Sequence, residues 1–264
     1  MTRLKDGGDK TFGEHIEVLR KVLTRIIIVS FAFAIIMFLF KDSLFTVLLA
    51  PCSSDFSTFR VMNRMLAFFG MDKQLYSNQI DLITTELPSQ FMAHMTVALY
   101  MGALMASPYI IFELFRFISP ALYENERKYS VRLGVTMYVL FILGLLVSYF
   151  VLFPVSCRFL ASYQVSERVV AMISLDSYIS TFVTLTLLMG LVFQLPVISF
   201  LIARFGVIDC HAMRKYRKHV FVIIMIVAAV ITPPDAMTLI LVSAPLYLLY
   251  ELSILVVKTT TAVK

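Results

Sequence analysis

The sequence predicts an all-α integral membrane protein, a bundle of six transmembrane helices with both chain ends on the same side. Three observations carry that expectation: an apolar excess too large for a soluble surface, its collection into helix-length runs, and an uneven division of Lys and Arg between alternate links. Hydrophobic residues make up 59% of the 264, charged residues 15%, and the mean hydropathy is +0.86. Soluble domains carry about 25% charged residues, so much of this apolar surface must face lipid.

The elements follow in chain order. Residues 1–22 are charged and amphipathic, without the apolar core and small-residue cleavage site of a removable signal peptide, so the first span is expected to stay in the protein. Spans are expected at 23–40, 91–118, 129–153, 178–203, 216–231 and 236–257, within one membrane domain over 1–264. Runs such as 26–40, 135–153 and 220–231 approach, with their flanks, the roughly 20 apolar residues that a bilayer core demands. The long polar segment 51–88 is read as a cap outside the core, with a short interfacial helix around 59–69. The fifth and sixth helices are expected to be short. Only 219–231 is continuously apolar before Thr232-Pro233-Pro234-Asp235 forces a turn. Those thirteen residues rise about 20 Å, against a hydrocarbon core of about 30 Å.

Sidedness comes from the basic residues, which concentrate in the cytoplasmic links of membrane proteins. Seventeen of the 23 Lys and Arg fall in alternate segments: the N-terminal tail, the second and fourth links, and the C-terminal tail. Six crossings with both termini in the cytoplasm make that division coherent, and together with anionic lipid it accounts for the net charge of +6 without nucleic acid. Cys52, Cys157 and Cys210 lie far apart in no metal-ligand spacing. They read as small apolar residues; Cys52 and Cys157 share the outer side, and their pairing stays open.

Polar groups inside spans usually face a cavity, a partner or another helix. Glu113 is expected to pair with Arg116, three residues on along the same helical face. Gln194 precedes Pro196, so its amide either satisfies backbone groups that the proline frees or forms a polar site on the inner face. Asp235 sits in the last turn, and Glu251 near a helix end, where it is expected to snorkel. Glu124 and Glu126 open a helix, where carboxylates are favoured by the exposed amides. The same geometry offers acceptors to a cationic guest, with Glu14 and Glu17 of the tail beside them. His15, His94, His211 and His219 have no HExxH or Cys partner, and neither a phosphate loop nor a Gly-x-Ser-x-Gly turn occurs. No enzyme activity, metal or cofactor is expected.

Ordered phrases add a resemblance. Phe12-Gly-Glu-His-Ile-Glu-Val-Leu-Arg-Lys21, Ser107-Pro108, Phe117-Ile-Ser-Pro-Ala-Leu-Tyr-Glu-Asn-Glu-Arg127, Phe153-Pro154, Phe193-Gln-Leu-Pro196, Thr232-Pro-Pro-Asp235 and Pro245-Leu-Tyr-Leu-Leu-Tyr-Glu251 stand in the order found in TatC, the multispanning subunit of the twin-arginine protein translocase. The sequence resembles that family from about residue 12 to 257. The resemblance implies a glove-shaped six-helix bundle in the bacterial cytoplasmic (inner) membrane. It would receive twin-arginine signal peptides at its cytoplasmic face and move folded proteins on the proton-motive force. Implied partners are single-span TatB-type and TatA-type proteins, in an oligomer of Tat heterocomplexes.

The implied signal-peptide site comprises Glu126, Arg127, Glu17, Arg20, Phe117 and Tyr123, with Glu126 contacting the paired arginines. Gln194, Asp235 and Glu251 form the implied intramembrane polar set for a partner or an inserting peptide. Pro51, Pro108, Pro120, Pro196, Pro234 and Pro245 are taken as structural. The sequence departs from the family pattern where a second glutamate is expected at Val18. Glu17 precedes it but points about 100° away on a helix. Phe115 replaces a tryptophan, and Gln194 stands for a glutamate. The rival reading is a secondary transporter or channel for a small solute, with interior polar residues and broken helices.

Overall fold

The computed structural model describes residues 12–68, 80–118, 127–163, 166, 172–206, 208–232 and 235–261. The first helix, α1 (Phe12–Leu39), carries no internal proline and takes in the amphipathic tail as well as the first apolar run. After a bend at Phe40 the chain continues as α2 (Lys41–Leu49) into a 3₁₀ turn at Ala50–Cys52. The amphipathic α3 (Ser57–Phe68) follows, with Phe59 fully buried and Arg60 and Arg64 exposed.

Two loops then meet. The strand β1 (Leu82–Ile83) pairs in parallel with β2 (Ile173–Ser174), Leu82 opposite Ile173 and Ile83 opposite Ser174. Together α2, α3 and this ladder close one end of the bundle, called the capped end below.

The long α4 (Ser89–Ile118) contains Pro108. The third span is α5 (Arg127–Val147), a π turn at Ser148–Leu152, and α6 (Phe153–Ser162). The fourth is α7 (Leu175–Val192) and α8 (Leu195–Arg204), separated by a turn at Phe193-Gln194 just before Pro196. Gly206, at φ 76°, ends that run in the left-handed conformation open to glycine. A short α9 (Cys210–Lys215), capped by Asp209, leads to α10 (Arg217–Ile231) and α11 (Ala236–Thr261), which holds Pro245.

Five spans, Ile16–Leu39, Ser89–Phe117, Leu133–Ser162, Leu175–Arg204 and Ala236–Lys258, are long and apolar enough to cross a membrane. The remaining helix, α10, fifth of the six in chain order, has 15 residues and rises about 22 Å. The shortness expected of the last two helices resides in α10, since α11 has 26 residues.

Prolines explain the irregular turns. Pro154 has no N–H for the carbonyl of Phe150, four residues back, and the π turn falls there. The hydroxyl of Thr58 on α3 donates to that carbonyl instead. Pro51 likewise leaves the carbonyl of Val47 without its helical donor, and the Tyr149 hydroxyl supplies one at 2.7 Å. Tyr178 donates to the neighbouring Leu48 carbonyl, also at 2.7 Å. Inside a bilayer no water could do this.

Small residues set the helix contacts. A methyl group on Gly102 of α4 would stand 2.4 Å from the backbone nitrogen of Ala34 on α1, and one on Gly144 would stand 2.6 Å from the Met189 carbonyl oxygen on α7. Such close backbone approach is how membrane helices gain packing without a hydrophobic drive. The core gathers Leu48, Val97, Phe153, Phe182, Leu185 and Met189, while α9 covers a second cluster of Ala203, Met213, Ile254 and Val257. Large apolar side chains such as Ile27, Ile28 and Phe31 on α1 and Phe221, Ile226 and Val230 on α10 face outward, as lipid contact requires.

Candidate functional site

Helices α1 and α4 run antiparallel, so the start of α1 and the end of α4 share the end of the bundle opposite the cap. There Glu113, 4% exposed, receives the Tyr109 hydroxyl at 3.0 Å and stands 3.7 Å from the guanidinium of Arg25 on α1. This corrects the expected pairing with Arg116. The face of α4 carrying Glu113 packs on α1, and the other helix supplies the cation, while Arg116 is exposed. Beyond Arg25 the first turns of α1 are largely exposed: Glu17 forms an ion pair with Lys21 one turn on at 2.7 Å, and Val18 and Arg20 face outward. Glu17 is thus engaged locally. Phe117, half-buried, stands in the last turn of α4. Arg127 opens α5, with its side chain outside the described set; Pro120, Tyr123, Glu124 and Glu126 lie outside the described residues altogether.

The three intramembrane polar residues do not converge. Gln194 donates from Nε2 to the Met137 carbonyl on α5 at 3.1 Å, and its buried Oε1 has no hydrogen-bond partner among the described residues. The amide therefore pins the break in the fourth span to the third and does not satisfy the groups freed by Pro196, contrary to one of the two readings of the sequence. Asp235 caps α11, accepting the Thr238 amide at 2.7 Å and the Thr238 hydroxyl. Glu251, at the opposite end, accepts from Arg217 of α10 at 2.6 Å, so it is paired and does not simply snorkel. Beside it the Tyr250 hydroxyl holds the Met213 carbonyl at 2.8 Å, which fastens α9 to α11.

Among the prolines, Pro51 and Pro196 stand in the first turns of their helices, and Pro108 and Pro245 lie within α4 and α11. Pro234 lies outside the described residues. Cys52 and Cys157 are both buried, in one core cluster, and both are free thiols. Burial pushes the Cys52 thiol above its ordinary range. Among the described residues no three His, Cys, Asp or Glu side chains gather as metal ligands.

Several contacts escaped the sequence reading. The guanidinium of Arg158, 6% exposed, lies 4.8 Å from the centre of the Phe59 ring. Asp176 accepts from Ser89 at 2.7 Å across the capped ends of α7 and α4. The orphaned carbonyls at Val47 and Phe150 were within reach, since each stands four residues before a proline; their donors, 102 and 92 residues away, were not.

Comparison with known proteins agrees with this architecture. The family model described as Sec-independent protein translocase protein (TatC) matches residues 14–245. Among relatives, the Sec-independent protein translocase protein TatC of Blattabacterium sp. subsp. Periplaneta americana is 33% identical over 247 residues, covering 92% of this chain and 93% of that protein. The Desulforapulum autotrophicum protein of the same name is 31% identical, with 92% and 83% covered. The solved structure titled Twin Arginine Translocase Receptor TatC superposes with a TM-score of 0.74 at 30% identity, covering 94% of this chain and 99% of that one. This chain belongs to the TatC family of Sec-independent protein translocase proteins, and is a multi-pass membrane subunit for protein transport, not an enzyme.

Proposed function

We propose that the chain is the twin-arginine signal-peptide receptor and core subunit of its translocation system, moving folded proteins on the proton-motive force. It works in the bacterial inner membrane with both termini in the cytoplasm, beside single-span TatB-type and TatA-type partners. The observation that carries the reading is the Arg25–Glu113 contact, which fastens the exposed start of α1 to the end of α4, where the link 119–126 leaves. The two segments that the family resemblance assigns to the signal peptide therefore leave one point on one end of the bundle. Guanidinium groups bind carboxylates bidentately, and Glu126 is the carboxylate assigned to the paired arginines. With Val18 in place of a second acid, and Glu17 engaged by Lys21, Glu126 carries most of that recognition. The Oε1 of Gln194, without a partner among the described residues, remains as an acceptor at membrane depth for an inserting peptide or partner helix.

The test is photo-crosslinking of a twin-arginine signal peptide to probes placed singly through 12–25 and 117–130, with a twin-lysine peptide as control. Adducts at both segments with the twin-arginine peptide alone are expected. Equal adducts with both peptides, or none at either segment, would overturn the proposal.

A further inference from the structure

A groove of about 270 Å³ opens between the capped ends of α4 and α7, lined by Met92 and Thr96 on one side and Asp176, Ser180, Val183 and Thr184 on the other. On α7 the polar residues recur at every fourth position, one stripe on one helical face. Both helices begin at the capped end, so at 1.5 Å per residue the stripe runs from the membrane boundary at Asp176 to about 12 Å deep at Thr184, with Thr96 at about 10 Å.

Ser and Thr in apolar helices ordinarily return their hydroxyl proton to a carbonyl three or four residues back. Thr181, Thr186, Ser243 and Ser253 do so here. Thr96, Ser180 and Thr184 make no hydrogen bond among the described residues, and Thr96 and Ser180 are exposed. One oxygen of Asp176 takes the Ser89 hydroxyl; the other makes no bond among the described residues. Three hydroxyl donors and one carboxylate oxygen therefore stand without partners among the described residues, the hydroxyls on a surface where lipid tails offer nothing in return, an arrangement that is costly without a guest.

The order of these groups along the groove matches one kind of guest. Its charged end meets a carboxylate at headgroup level, its carbonyls meet hydroxyls one to two turns deeper, and its hydrocarbon continues past Met92 and Val183. A transmembrane helix suits these groups less well: its backbone carbonyls are already satisfied within the helix, so it leaves the hydroxyls without acceptors. A phosphate head without an amine would meet the Asp176 charge unfavourably, and a quaternary ammonium has no proton to donate. We propose that this groove is a binding site for a bilayer phospholipid with a primary-amine headgroup, its ammonium on Asp176 and its ester carbonyls on Thr96, Ser180 and Thr184.

Native mass spectrometry of the full-length chain, equilibrated in mild detergent with equal amounts of phosphatidylethanolamine, phosphatidylcholine and phosphatidylglycerol, tests the site. Wild type should retain the ethanolamine lipid preferentially. Asp176→Asn keeps an acceptor for Ser89 but loses the charge, and should cut that preference roughly tenfold. The near-isosteric pair Thr96→Val and Thr184→Val should weaken retention of all three lipids, whatever happens to the Asp176 variant. Equal wild-type retention of the ethanolamine and choline lipids would overturn the proposal. So would unchanged retention in both variants, or a photoreactive residue at position 180 that captures a protein in native membranes and no lipid.

Discussion

Tyr149 gives its phenolic proton to the carbonyl of Val47 at 2.7 Å, and that carbonyl is the one Pro51 deprives of a helical donor. Two irregularities of the chain, Pro51 in the 3₁₀ turn after α2 and the π turn in the third span, are thereby joined. Tyr149→Phe should lower stability by about 1–3 kcal/mol, the cost of stranding an acceptor that lipid cannot satisfy. Pro51→Ala in the same background restores an N–H four residues after Val47 and should recover part of the loss. Thermal unfolding of the two single variants and the double variant in detergent gives the coupling. Strict additivity would mean that the carbonyl is not what they share.

Gly102 and Gly134 should separate sharply. A methyl group at position 102 meets the backbone of Ala34 at 2.4 Å, whereas at 134 it meets only the Phe115 ring at 3.8 Å. Gly102→Ala is expected to cost about 1–3 kcal/mol by pushing α1 off α4, and Gly134→Ala should be near neutral. Melting temperatures of the two variants in one detergent decide this, and equal effects would contradict it.

The Arg25–Glu113 contact should be asymmetric. Arg25→Met leaves a buried carboxylate with only Tyr109, while Glu113→Gln keeps an acceptor for Tyr109 and removes the charge. Arg25→Met is expected to be the more destabilising change, by about 1–2 kcal/mol. Chemical denaturation of each variant measures the difference, and the reverse order would count against the pairing.

For the proposed receptor role, Glu126→Ala should weaken binding of a twin-arginine peptide by about ten- to a hundredfold, corresponding to 1.5–3 kcal/mol for a charge-assisted bond. Glu124→Ala should cost little, since the family resemblance assigns the paired arginines to Glu126 and not to Glu124. Val18→Glu, which restores the expected second acid, should tighten binding. Peptide titration in nanodiscs reads all three, and wild-type affinity in Glu126→Ala would remove that residue from the site.

At 15 residues, α10 is too short for an ordinary bilayer core, so lipid headgroups should be drawn inward along its exposed face of Val222, Ile226 and Val230. Spin-label depth measurements at those positions test this. Immersion depths matching the middle of α4 would refute it.

The spans were legible because lipid enforces apolar length, and the breaks because proline removes a specific hydrogen bond. What lay beyond the sequence was the partner of each exposed defect. Glu113 has a cation three residues away in the chain, yet pairs with Arg25, 88 residues distant, because antiparallel packing decides which face is buried. The Ser89–Asp176 bond and the groove beneath it arise where two helix starts meet, and periodicity within either helix does not announce such a meeting. The receptor residues in 119–126 were legible only through the ordered phrases of a family, since two acids opening a helix read equally well as caps.

The Tyr178–Leu48 bond and the pairing of Leu82 with Ile173 also impose a timetable on synthesis. Tyr178 is made 130 residues after Leu48, which at the pace of a ribosome is an interval on the order of ten seconds. By its end three helices stand in the membrane while the capped-end loop beside them still lacks its anchor. The carbonyl of Leu48 and the edge of the Leu82 strand are then open to wrong partners. A protease or chaperone acting on the capped side would find its best opportunity in that window, and any delay in delivering the fourth span lengthens it.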